Sequence, residues 1–114
     1  MLRKINRLTK ERDFDRIAKF GRSLVLPFLI IRSFKKEEES CSRFGFIVSK
    51  RISKLATRRN YIKRIMREVV RGLVSDIPSG YDFVFIARSP IKSIKFSELK
   101  YSIYAAFKKI NLLK

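Results

Sequence analysis

The chain has no histidine and no tryptophan, and one cysteine among its 114 residues. Without histidine there is no Ser-His-Asp or Cys-His machinery, no imidazole base and no imidazole metal ligand. Cys41 lacks a partner for an internal disulfide and an imidazole to activate it. It reads as a loop residue of a protein kept reduced in the cytoplasm. Acids are few, with 10 Asp+Glu against 28 Lys+Arg. Glu37, Glu38 and Glu39 share one polar run, while Asp13, Asp15, Glu68, Asp76, Asp82 and Glu98 are scattered among cations. A Mg2+-dependent nuclease made of protein alone needs several carboxylates converging on one point, and these positions do not build one. No catalytic residue and no protein-held metal are expected. Long apolar runs are missing too, so no helix should span a bilayer. The first residues, Met1 to Arg7, lack the apolar segment of a secretory signal, so no membrane partner is expected.

What is present is apolar residues and positive charge. Hydrophobic residues make up 46% of the chain, enough for the core of one compact domain over residues 1–114. The net charge of +18 is tolerated when the working partner is a polyanion. Both features meet in residues 57–74. Ile62, Ile65, Met66, Val69, Val70 and Leu73 recur at i, i+3, i+4, i+7, i+8 and i+11, the stripe of an amphipathic helix. Asn60, Arg64, Arg67 and Arg71 line up opposite, with Lys63 at the edge and Glu68 the single acid. Like charges at helical spacing repel by a few tenths of a kcal/mol per pair. A merely solvated face would mix its signs, so a bound polyanion is the simplest compensation.

Around this helix the chain reads as follows. Residues 1–8 form a basic arm without periodicity. A helix starts at Thr9 and ends near Phe20, before Gly21, with Glu11 and Asp13 in its first turn and Phe14, Ile17 and Ala18 on one side. Residues 23–34 form one strand, with Pro27 marking an edge or bulge. Residues 35–42 are a charged hairpin connection. Residues 43–49 form a second strand, with Phe44, Phe46 and Val48 on one face. Residues 75–80 are turn chemistry. Residues 82–88 form a third strand, with Phe83, Phe85 and Ala87 together. A last helix begins near Ser97, with Leu99, Ile103, Ala106, Phe107 and Ile110 toward the core. The predicted fold is an α/β (α+β) two-layer sandwich of order α-β-β-α-β-α. These features leave three functional classes open: an RNA-binding protein of a ribonucleoprotein particle such as the ribosome, a basic DNA-binding module, and, least favoured, a protein nuclease.

Two stretches are more specific. Arg43-Phe44-Gly45-Phe46-Ile47-Val48-Ser49-Lys50-Arg51-Ile52, followed by Arg58-Arg59-Asn60-Tyr61-Ile62-Lys63-Arg64-Ile65-Met66-Arg67-Glu68, resembles the bacterial ribonuclease P protein component. That family has a strand ending in Ser-Lys-Lys/Arg, a basic loop, and Arg-Asn-Arg-Ile-Lys-Arg-x-x-Arg-Glu on a helix. Asn6-Arg7-Leu8, Asp13-Phe14 and Gly21 also fit, as do Tyr81-Asp82-Phe83-Val84, Ala87-Arg88 and Pro90. The resemblance thus covers nearly the whole chain in order. Two positions depart from the family pattern. Tyr61 stands where the family usually has Arg; it can stack or hydrogen-bond but cannot meet a phosphate as a cation, and Arg58 is the neighbouring cation. Ala18 stands where a second aromatic is common, with Phe20 the nearby alternative.

The resemblance implies a ribosomal protein S5 domain 2-like fold with a left-handed βαβ crossover, against the usual hand. It implies a subunit of an endonuclease that removes the 5′ leader from precursor tRNA. The RNA subunit would carry the active site and hold most of the Mg2+. The partners implied are that catalytic RNA and precursor tRNA, with no stable protein partner. By family match, Lys50, Arg51, Arg58, Arg59, Asn60, Lys63, Arg64 and Arg67 would bind the RNA subunit. Asn60 could read a base edge or a 2′-OH; the alternative is a helix N-cap. Arg71 shares the face but lies past the motif. The leader would lie in a cleft between the sheet and the N-terminal helix, with Phe14 stacking a base and Lys10, Arg16 and Arg88 supplying charge; for Phe14 the alternative is core packing.

Overall fold

The structure, a computed structural model, describes residues 3–37 and 40–110. Helix α1 (Glu11–Phe20) leads into strands β1 (Arg22–Val25) and β2 (Leu29–Lys35). Strand β3 (Arg43–Ile47), helix α2 (Ala56–Arg71), strand β4 (Tyr81–Ala87) and helix α3 (Phe96–Lys109) follow. The four strands form one sheet in the order β1-β2-β4-β3, with β3 and β4 parallel and the other pairs antiparallel.

The predicted single strand 23–34 is a hairpin of two strands, so the element order has one more strand than expected. Pro27 sits at the reversal, where it has no N–H to give a ladder; Leu26 N–H donates to the Leu29 carbonyl at 2.8 Å and Val25 pairs with Ile30. The turn also resets side-chain parity. Leu24 faces the same side as its partner Ile31, and Leu29 joins Ile31 in the main core. The 35–42 connection is not a hairpin either, because β4 lies between β2 and β3. Of its acidic run, Glu38 and Glu39 lie outside the described residues, as do Met1 and Leu2 of the basic arm.

Helices α2 and α3 cover one sheet face. Phe44, Phe83, Phe85, Met66, Val69, Val70, Leu99, Ile103 and Phe107 are all nearly inaccessible there. Phe44 stacks on Phe83 at 5.2 Å, and Phe107 meets Phe83 edge-on at 5.2 Å. Such pairs add about 0.5–1.5 kcal/mol beyond area burial. Helix α1 lies across the opposite face, where Leu8, Ile17 and Val84 form a smaller cluster with Phe14, Phe34 and Ile86. Arg32, the polar break in the strand pattern, fastens α1. It donates to the carbonyls of Ile17, Ala18 and Gly21, at 2.8 Å for Ala18 and 2.9 Å for Gly21, and contacts Ser23 Oγ. The Ile17 carbonyl also takes the Gly21 N–H at 2.8 Å, and Arg32 adds donors to this end of α1, where helical carbonyls run short of them. Gly21 is required by proximity: a Cβ there would stand 2.5 Å from the Ile17 carbonyl oxygen and 2.9 Å from that of Ser33.

The apolar stripe of α2 is buried as its periodicity predicts, except that Ile65 is only half-buried while Met66 has no exposed surface. Met66→Ala is therefore expected to cost about 2–5 kcal/mol and Ile65→Ala distinctly less. Chemical denaturation of the two variants measures the difference; equal losses would contradict this placement.

Candidate nucleic-acid interface

The basic arm lies along the free edge of β3. Leu8 N–H donates to the Phe44 carbonyl at 2.9 Å, Arg7 bridges Phe44 in parallel, and buried Asn6 donates from Nδ2 to the Ser42 carbonyl at 2.8 Å. This pairing covers part of an edge that would otherwise be open. It also sets one wall of a cleft of about 300 Å3 running past β3 to α2. Arg7, Leu8, Thr9 and Phe14 form that wall, Phe44, Gly45 and Phe46 the floor, and Lys63 and Arg67 the far side. Thr9 is a cleft residue and not the expected N-cap; Lys10 precedes the first turn of α1. Gly45 makes the cleft possible, because a Cβ there would stand 2.4–2.5 Å from the Phe14 ring. The ring rests on bare backbone in a half-buried position, open to a ligand on its cleft side.

Of the four residues grouped with the leader, Phe14 alone lines this cleft. Lys10 and Arg16 flank an adjoining depression with Arg12, Asp13 and Arg43. Arg16 is engaged with Asp13 at 3.3 Å and Asp82 at 3.8 Å, and its guanidinium stands over Phe34 at 5.1 Å. Arg88 follows the other end of β4 and donates to the Leu26 carbonyl at 2.9 Å, securing the hairpin. It lies three residues past Phe85, roughly 10 Å further along the strand. Phe20 does not replace the missing aromatic: it is mostly exposed at the end of α1, beside Lys19, and away from the cleft. Half-buried Phe46 also borders the cleft, whereas the Phe44 ring is buried in the core.

The residues grouped with the RNA subunit spread over one end and one side of α2. Lys50 and Arg51 project from a turn anchored by buried Ile52. Arg59 donates to the carbonyls of Ser53 and Lys54, both at 2.9 Å, locking this turn to the helix. Arg58 is exposed and reaches the Lys92 carbonyl at 3.4 Å. Asn60 is not an N-cap: α2 begins at Ala56 after Leu55, so Asn60 sits exposed inside the helix. Arg64 is exposed, whereas Lys63 and Arg67 turn toward the cleft and are half-buried. Arg71 is paired with Glu68 at 3.1 Å, and its hydrogen bond holds the Glu68 carboxyl below the usual range. That pair is neutral at pH 7, so Arg71 adds little net charge to the face.

A cluster not apparent from the sequence braces the cleft from behind. Asp82 is fully buried and takes two hydrogen bonds from Arg43, at 2.7 and 3.0 Å, with Lys36 Nζ at 3.4 Å. Arg43 also reaches Asp13 of α1 at 3.3 Å. The Asp82 hydrogen bond holds the Arg43 pKa above its ordinary value despite burial. Asp13 precedes Phe14, so the cluster fixes the helix that carries the cleft's ring. Among the described residues no three His, Cys, Asp or Glu side chains gather to hold a metal ion. None of the helices among them is long and apolar enough to cross a membrane.

A cleft bordered by Phe14 and by cations, beside a basic helix, is the arrangement of a nucleic-acid-binding domain. The ribonuclease P family profile matches residues 2–111. The chain is 36% identical over 108 residues to the ribonuclease P protein components of Bacillus cereus and Bacillus anthracis, covering 95% of this chain and 93% and 90% of theirs. It superposes on the RNase P protein of Staphylococcus aureus with a TM-score of 0.86 at 31% identity, covering 97% of this chain and 100% of that one. The RNase P protein of Thermotoga maritima gives 0.80 at 32%, covering 90% and 96%. The chain belongs to the ribonuclease P protein family, RNA-binding components of a tRNA-processing endoribonuclease that work with an RNA subunit.

Proposed function

We propose that the chain holds two RNAs at once: the catalytic RNA subunit against the outer face and N-terminal end of α2, and the 5′ leader of precursor tRNA in the cleft. The observation carrying this reading is the seating of Phe14 on Gly45 opposite Lys63 and Arg67. A base can stack on the ring while the cations meet the phosphates on either side of it, at roughly 1–3 kcal/mol per stacked base. The chemistry of cleavage belongs to the RNA subunit, which would hold most of the Mg2+. The chain offers no fitting donor set among its described residues, since Asp13 and Asp82 are each matched by cations. The protein's work is to screen repulsion between two polyanions and tighten leader binding, in the cytoplasm.

Cleavage of precursor tRNA by the cognate RNA subunit at low Mg2+, with and without the protein, tests this. The expected result is a large rise in kcat/KM that shrinks when the leader is removed. RNA binding with no gain in cleavage would overturn it in favour of a structural RNA-binding protein.

A further inference from the structure

Tyr61 stands on the outer side of α2 with 53% of its surface exposed. An aromatic ring in that position contributes little to the core. Three residues on, one helical turn away, the Arg64 guanidinium lies over the ring at 5.4 Å from its centroid. Arg64 and Asn60 are both exposed beside it. The pair joins two flat π-surfaces on a side of the helix that also carries exposed Arg58.

We propose that Tyr61 and Arg64 form a stacking shelf for one unpaired base of the RNA subunit. This rests on reading the outer side of α2 as that RNA's seat. A phosphate is met best by cations alone, and a phenol ring in front of an arginine adds nothing to such a contact. An unpaired base gains from both, because the ring offers a π-face and the guanidinium stacks as well as it pairs charge. With Arg64 over one face of the phenol, the composite presents a wide, flat, cationic edge. The surrounding cations favour a polyanion over a second copy of this +18 chain. Asn60, one residue before the ring, can donate to and accept from a base edge placed there.

The chain has no tryptophan, so Tyr61→Trp introduces a lone indole that reports on this position. Titration with the cognate RNA subunit should quench its emission strongly while affinity is retained. Tyr61→Phe should bind within twofold of the parent. Tyr61→Ala should lose about tenfold or more with its log–log salt slope and melting temperature unchanged. Unquenched indole emission, or unaltered binding by Tyr61→Ala, would overturn the shelf. A salt slope shallower by about one in Tyr61→Ala would also overturn it, by showing that the ring only props Arg64 against a phosphate. If the parent chain itself fails to bind the RNA subunit, the reading of α2 falls, and the shelf with it. Tight parent binding that ignores every Tyr61 change removes the shelf alone.

Discussion

Asp82→Ala is expected to destabilise the protein by about 3–5 kcal/mol, because it strands the buried Lys36 ammonium without a carboxylate and leaves Asp13 alone to face both Arg43 and Arg16. Asp82 has no accessible surface, and three cations converge on it: Arg43 at 2.7 Å, Lys36 at 3.4 Å and Arg16 at 3.8 Å. The Lys36 side chain is 5% exposed, so water cannot take over the lost solvation. Against a typical total stability of about 5–15 kcal/mol, the loss is a large fraction. Asp82→Asn preserves volume but not charge and should lose a comparable amount. The cluster also ties β3 and β4 to α1 through Asp13, so the ring of Phe14 should lose its fixed position before the sheet itself opens. Urea denaturation gives the energy, and amide exchange over residues 11–20 gives the order of events. A loss under 1 kcal/mol in both variants would show that the cluster is not what holds α1.

The second large effect is on binding. Replacing Lys63, Arg64 and Arg67 together with alanine should weaken RNA-subunit binding roughly a hundredfold or more. The log–log salt slope should become shallower by roughly 1–2, at 0.7–0.9 for each phosphate met by Lys63 and Arg67. Stability should change little, within about 1 kcal/mol. None of the three side chains is fully buried, although Lys63 and Arg67 lay part of their stems along the cleft. Single variants separate the two RNA surfaces. Arg64→Ala should weaken the RNA subunit's docking and leave the leader's contribution to cleavage intact. Arg67→Ala should reduce both, because Arg67 borders the cleft. An unchanged salt slope in the triple variant would contradict phosphate docking on α2.

Much of this protein is local pattern, and local pattern is legible in a sequence. The two sides of α2 follow from a 3.6-residue period, and the inward rings of β3 and β4 follow from a period of two. The ordered motifs from Arg43 to Glu68 pointed to the family. The tertiary structure alone decided the rest, because it depends on which distant segments share a surface. Pro27 marks an interruption in any strand, but only pairing of Val25 with Ile30 makes it a reversal. β4 enters between β2 and β3 because that central position buries both its faces, and neighbouring strands in sequence give no hint of it. Asp82 looks like one more scattered acid until Arg43, Lys36 and Asp13 meet around it. Gly45 looks like a gap in an alternating strand until α1 lays Phe14 across it. A side chain's partners set its role, and these partners are brought together only by folding.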